Sequence, residues 1–485
     1  MTAVSSKKMA YGCLARSAIA DSTSLREGPA CTMAARTTAS TEGKMTRIND
    51  SLAAAALVAL AVNGFGSAWA APGDPLGPEL RLNPAPLMSY AAPDVAARGN
   101  GGFVTAWVGT GSGGGLFAQL HDLNGVPTAA PVPVAGSEAR MPAVAADASG
   151  NFAVAWLVPR IEGTNPRDSA VMLRRYNADG TPRGTAIVVD TDAKSRHNEV
   201  AIGMAANGDL VVVWDRVTQP LKALQQISLP IGDGGGGVLF EEHTRIEARH
   251  FRASGSAGAR QAVDTATRIA VLGIGLLPQV NDLDVAMRAD GEYLVTWIDN
   301  GLSLVTTRLY AQRFAAGGSS RSLKQTLASY GATRPAYPSA ASDGDGYLVA
   351  WHGLVQGSTG GSRISARRLG SKGAPLAAAF TIAESATLNH DEPDVAGAAG
   401  GHVISWTERS GSGTAASYRL LAQRLDGSGT VGPVIPVNSY STPRELEPYR
   451  GPAMAAGSSR FAVTWAGPGE IASERNGYLR VFEGQ

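Results

Sequence analysis

The chain has 485 residues, 44% hydrophobic, 6% aromatic and 17% charged, with 59 Gly and 27 Pro, a composition that excludes a disordered chain and marks a folded protein. Its 42 basic side chains are offset by 41 acidic ones, which removes the basic excess by which nucleic-acid binders neutralise phosphates.

The first readable element is a leader. Residues 45–70 carry Arg47, an apolar run of 11 residues from Leu52 to Val62, and the small-x-small triplet Ala68-Trp69-Ala70 before Ala71-Pro72. This is the layout of a secretory signal peptide, and the run is well short of the ~20 apolar residues a membrane helix needs. Residues 1–44 then read as an upstream extension that is not native, with Met45 the expected start. Cys13 and Cys31 both precede Ala71, so the mature chain is expected to hold no thiol, disulfide or cysteine metal ligand. Without its first 70 residues it has 35 basic and 37 acidic side chains. A periplasmic or secreted, monomeric protein without a membrane span follows as the expectation.

From Pro75 onward the chain repeats. Seven segments end in Trp: FVTAW at Trp107, FAVAW at Trp156, LVVVW at Trp214, YLVTW at Trp297, YLVAW at Trp351, HVISW at Trp406 and FAVTW at Trp465. Their spacings are 49, 58, 83, 54, 55 and 59 residues, and self-similarity at such a period signals a repeat architecture. About ten residues before most of these Trp residues lies a short apolar strand, such as PDVAA from Pro93, PAVAA from Pro142 or PDVAG from Pro393. Gly, Asp and Asn turns join it to the Trp strand, as hairpins require. A third strand follows, as in LRRYNA from Leu173 or ISARRLGS from Ile364, and then a weaker fourth.

Four antiparallel strands per repeat predict one propeller blade each, hence an all-β, seven-bladed β-propeller spanning 71–485. The Trp strand is apolar on both faces because blades sandwich one another, and each Trp is expected to pack on the next blade. The seventh repeat lacks a fourth strand after GYLRVFEGQ, whereas PLGPELRLN from Pro75 resembles the fourth-strand segment TVGPVIPVN from Thr430. An N-terminal strand completing the last blade therefore closes the ring and hides its edges.

On these segments the chain resembles the Trp-strand repeats of secreted bacterial seven-bladed β-propeller proteins. It is not similar to WD40 repeats, since only Trp214-Asp215 forms a WD pair, nor does it carry the Ser-x-Asp-x-Gly-x-x-Trp box of sialidase-type propellers. The resemblance implies a fold and no catalytic residue.

In that fold the loops before each first strand converge on one mouth of the central channel, where function is expected. They hold Tyr90; Glu138 and Arg140; Arg196, His197, Asn198 and Glu199; Gln279, Asn281 and Asp282; Arg334 and Tyr337; His390, Asp391 and Glu392; and Glu447, Tyr449 and Arg450. The candidate ligand-binding set is Arg140, Arg196, His197, Glu199, Asp282, Arg334, Tyr337, His390, Asp391, Glu392 and Arg450. Imidazoles beside carboxylates suit a divalent ion or acid–base work on a sugar. Their spacing is not that of established zinc motifs, so no cofactor is expected.

Blade three carries an insertion at about 217–245, 31 residues between Trp214 and Ile246 against about 8 to 14 in the other blades. It falls on the mouth face and reads as a lid or as a tolerated surface insertion, LKALQQISL from Leu221 forming a short hairpin or helix. No Gly-x-Ser-x-Gly elbow, phosphate-binding loop or His-Glu-x-x-His is present. The leading expectation is therefore an exported propeller that binds a glycan or protein through its polar mouth. A polysaccharide-active lyase or hydrolase and a cell-envelope scaffold are the alternatives.

Overall fold

The computed structural model describes residues 71–82, 89–110, 113–159, 169–191, 195–218, 223–228, 236–272, 282–299, 307–330, 335–355, 361–398, 400–411, 417–426, 431–439, 442–443, 451–468 and 475–484. The expected leader and upstream extension lie outside them.

Seven antiparallel sheets are present. Their inner strands are Ser89–Ala97, Arg140–Ala146, Val200–Met204, Leu283–Met287, Ala336–Ser342, Asn389–Ala398 and Ala453–Ala456. Each packs against the inner strand of the next blade, and the seventh packs against the first, so the ring is closed. It is a seven-bladed propeller with four-stranded blades. Leu80–Arg81 is the outer strand of the last blade: Leu80 pairs with Leu479 and Arg81 with Tyr478. Flanking main-chain bonds from Leu76 N to Val481 O and from Leu82 N to Gly477 O, both within 2.8–2.9 Å, extend that pairing.

The second strands are buried on both faces; FVTAWVGT is buried at seven consecutive positions. Alternation then divides each strand between two interfaces. Val104, Ala106 and Val108 share a core with Phe152 and Trp156 of blade two, whereas Phe103 and Trp107 face Ala455, Ala462 and Leu479 of blade seven. Every Trp therefore packs on the preceding blade, not the next one as the repeat pattern led us to expect. Strand parity does not reveal which neighbour a face meets; the twist of the blades decides it. All seven rings are at most 2% exposed, and the indole N–H groups of Trp214 and Trp297 donate to Asp190 and Asp264 at 3.2 and 2.8 Å.

The third-strand arginines tie the seams. Arg174 Nη1 reaches back to Val134 O of blade one at 3.4 Å, while Arg175 Nη2 reaches forward to Gly208 O of blade three at 2.5 Å. Arg249, Arg367 and Arg480 repeat the backward bond to Val189, Leu327 and Val437 carbonyls at 2.8–3.1 Å.

Blade three departs from the pattern. Its third and fourth strands, Gly236–Phe251 and Ala257–Leu272, each run 16 residues, and Ala223–Ser228 pairs with the first part of Gly236–Phe251. Part of the insertion thus continues the blade as sheet; of the expected hairpin or helix, the described part is a strand.

Candidate active site

The mouth is built by an irregularity at the start of the inner strands. Pairing slips between Arg140 and Ala143, Ala336 and Ser339, and Asp391 and Asp394. Within those slips Met141, Tyr337 and Glu392 hold φ of 52°, 51° and 52°, and each is followed by Pro. A left-handed conformation on a residue with a side chain costs about 1–3 kcal/mol, and a following Pro restricts the backbone further. Tyr337 and Glu392 are thereby turned to line the channel. At the equivalent place in blade seven stands Gly451, where a Cβ would lie 2.4 Å from Glu392 Cβ.

A cavity of about 280 Å³ opens here, lined by Glu199, Asp282, Tyr337 and Glu392 and, deeper, by Asp94, Asp284, Ser339 and Asp394, with no basic side chain among the described lining residues. The deeper layer is a set of latches between blades. Asp94, Asp284 and Asp394 each accept a neighbouring blade's main-chain N–H, from Val144, Ala340 and Met454, at 2.6–2.8 Å. Ser339 Oγ donates to Asp394 at 2.7 Å and accepts from Val395 N at 3.0 Å. Burial, the nearby charges of Asp284 and Asp94, and only partial relief from these bonds push the Asp394 carboxyl up to about 7.

The outer layer is more open to chemistry. Glu199 accepts Leu283 N at 2.8 Å and Asp282 accepts Tyr337 N at 2.7 Å, and interaction with the Glu199 carboxyl favours the ionised form of Asp282. Burial raises the Asp282 carboxyl despite these bonds. Burial also raises Glu392, to about 7, reinforced by the charges of Asp391 and Asp282 and opposed by the Thr407 hydroxyl. The Tyr337 phenol is raised by burial and then by the charges of Asp282, Glu392, Asp391 and Glu199, so one ring feels all four carboxyls.

Asp391 stands 3.1 Å from His352 Nε2, and the His352 ring lies 6.4 Å from that of Tyr337. His352 lies outside the loops that precede the inner strands, just after a Trp segment. The legible signal is its place directly after Trp351, where the second strand reaches the mouth. The same position holds Asp215 in blade three, which accepts Asn198 N, Asn198 Nδ2 and Glu199 N at 2.6–2.8 Å.

His197 and His390 are held elsewhere. His197 is 4% exposed; its Nδ1 lies 2.8 Å from Ser169 O, its Nε2 lies 3.1 Å from Asp190 Oδ2, and its main-chain N–H donates to Ser169 Oγ at 2.7 Å. His390 repeats this with Ser362 O at 3.3 Å and Glu408 Oε2 at 3.2 Å. In both blades Ser and His are 28 residues apart. The grouping has the residue types of a Ser-His-Asp triad, but both serines are fully buried and Nε2 faces the carboxylate, so no substrate meets a nucleophile. Arg140 is exposed and Arg196 half-buried on the rim. Arg334 and Arg450 lie outside the described residues, as do Gln279, Asn281, Glu447 and Tyr449.

The opposite mouth has a cavity of about 440 Å³ formed by turns between first and second strands. Asp147 accepts Ser149 N and Asn151 N at 2.9 Å within one of these turns, and Arg460 of blade seven donates to Asn124 of blade one at 2.7 Å. Among the described residues no group of three or more His, Cys, Asp or Glu is arranged to hold a metal ion, and no helix is long and apolar enough to cross a membrane.

No family model matches the chain and no curated protein matches it. Among solved structures it is similar to a Dyadobacter fermentans protein of unknown function, at 12% identity over 85% of this chain and 100% of that one, with a TM-score of 0.42. It is also similar to an α-L-arabinofuranosidase from Fusarium graminearum (12%, 71% and 93%, 0.42) and to the β-propeller domain of the Trilobed protease from Pyrococcus furiosus (8%, 82% and 94%, 0.42). These are distant likenesses, and no activity passes from them to this chain.

Proposed function

We propose that this propeller is a glycan-active hydrolase working at the mouth lined by Glu199, Asp282, Tyr337 and Glu392. The observation that carries the reading is the convergence of these side chains from four successive blades on a cavity of about 280 Å³, with a fourth carboxyl, Asp391, close enough for its charge to act on Tyr337. That is near the lower end of ligand pockets, roughly 300–1,000 Å³, and suits one sugar unit of a longer chain.

Glycoside hydrolysis needs a carboxylic acid still protonated near neutrality beside a second, ionised carboxylate. Glu392, raised to about 7 by burial and its acidic neighbours, fills the first role by donating its proton to the leaving oxygen. Asp391, held by His352, fills the second, as base toward water or as counter-charge. The surrounding carboxyls favour the positive charge that develops on the sugar ring in the transition state. This acidity is also why hydrolysis is preferred here to elimination from uronates. A lyase must neutralise its substrate's carboxylate, and the described cavity offers no cation for that. Neutral or amino sugars are the substrate class favoured. The segment 45–70 supports export as part of the reading, with the substrate met outside the cytoplasm.

The test is a chain of residues 71–485 incubated with neutral, amino and acidic oligosaccharides, with release of reducing ends as the readout. Wild type should cleave neutral or amino sugars, and Glu392→Gln should lose about 10²–10⁴-fold in rate. A ligand-dependent rise in melting temperature without cleavage would make the protein a binding module. No response to any glycan would leave a protein-binding platform or scaffold.

A further inference from the structure

The closing strand is paired from its first residues. Gly73 N donates to Glu483 O at 2.8 Å and Glu483 N to Asp74 O at 2.9 Å, Pro75 bridges Phe482, and the pairing continues through Leu80–Arg81. Ala71 opens this run, directly after the Ala68-Trp69-Ala70 triplet. Its main-chain N lies 2.7 Å from Asp74 Oδ2, and Asp74 N donates back to Ala71 O at 2.8 Å.

We infer that cleavage between Ala70 and Ala71 creates a functional group, the α-ammonium of Ala71, whose counter-ion is Asp74, and that this pair fastens the strand that closes the ring. The inference rests on the export reading and is independent of any reaction at the mouth. A signal peptidase adds water across the Ala70–Ala71 peptide bond: the hydroxyl goes to the carbonyl carbon, a hydrogen to the nitrogen, and the acid proton passes to the new amine. The products are a carboxylate on Ala70 and an ammonium on Ala71. An α-amino group with a pKa of about 7.7–8.0 is charged at neutral pH. A hydrogen bond from a neutral amide N–H to a carboxylate thus becomes one between two full opposite charges. The placement leaves no slack. Two residues after the new terminus, Gly73 is already bonded to the last strand, and its φ of 92° sets it against Ile435 of blade six.

The experiment has two arms. The chain is exported with its own leader and its intact mass is measured; the expected terminus is Ala71, and any other overturns the inference. Independently, a chain starting at Ala71 is released from a cleavable tag and compared with one carrying Gly-Ser before Ala71, each with and without Asp74→Asn. Hydrogen exchange at Gly73, Leu76 and Glu483 reports local opening of the strand. In the Ala71-start chain Asp74→Asn should speed exchange about two- to fivefold, in line with an exposed ion pair, and high salt should remove the difference. In the extended chain the substitution should have a smaller effect, the difference being the coupling between ammonium and carboxylate. Equal effects in both chains overturn the ion pair while leaving export standing.

Discussion

His352 Nε2 lies 3.1 Å from Asp391 Oδ1 across the seam between blades five and six. The two residues come from different repeats: one follows a Trp at the end of a second strand, the other begins the next inner strand. Asp391 is next to Glu392 in the chain, and its charge acts on both Glu392 and Tyr337. Burial lowers the proton affinity of His352, the Asp391 charge raises it, and the nearby His390 lowers it again. Replacing His352 with Asn is expected to lower glycan cleavage by about 10–100-fold and to change the pH profile of kcat. The check is steady-state kinetics beside a melting curve, since loss of folding alone would not alter the shape of the profile.

Stability should decline between mildly acidic and neutral pH. Glu392 and Asp394 are raised from 4.5 and 3.8 to about 7 in the folded chain, so between about pH 4 and 7 the folded state binds more protons than the unfolded one. The stability they contribute is full below the unfolded values and is lost as pH rises through 7. Scanning calorimetry should give a melting temperature roughly 2–5 °C lower at pH 8 than at pH 5. Glu392→Gln, which cannot ionise, should flatten that decline.

The acid side has the opposite sign. Burial opposes ionisation of Asp190, but the His197 bond and the charges of His197, Arg260 and Arg216 bring its carboxyl down to about 2. Its contribution is present above the unfolded value near 4 and is lost as pH falls through 2. Asp190→Asn is expected to shift the midpoint of acid unfolding, followed by near-UV circular dichroism, upward.

Ser169→Ala should destabilise by about 1–3 kcal/mol, because the buried His197 N–H loses its acceptor at 2.7 Å. It should leave kcat for any substrate unchanged. A collapse of activity with an unaltered melting temperature would instead mark Ser169–His197–Asp190 as catalytic.

Close approach at the opposite mouth gives a pair of contrasting substitutions. A Cβ on Gly397 would lie 1.8 Å from Ser342 O of the preceding blade, whereas one on Gly353 meets nothing within 4 Å. Gly397→Ala is expected to cost about 2–4 kcal/mol in denaturant unfolding, by forcing the blade seam apart. Gly353→Ala should fall within about 0.5 kcal/mol of the parent chain.

The fold was legible because each of its determinants is local. A Trp strand apolar on both faces, a Gly or Asp turn before it and a strand after it define a blade within one repeat, and the shortfall of a strand at Gly477–Gln485 matched the surplus at Pro75–Asn83. The mouth was legible in part. Glu199, Asp282, Tyr337 and Glu392 were named because they precede inner strands, and they do line one cavity. His197 and His390 satisfied the same rule and are buried in the seams instead. The 28-residue Ser-to-His separation that marks this role became meaningful only once both pairs were seen in contact.

The amino-acid sequence by itself determined the number of blades, their strands and the way the ring closes, since period and turn chemistry act over a few tens of residues. The tertiary structure alone decided which face of each Trp strand meets which neighbour, that Met141, Tyr337 and Glu392 adopt positive φ, and that His352 joins Asp391. Those outcomes depend on blade twist and on contacts between residues dozens of positions apart, and no local pattern encodes either.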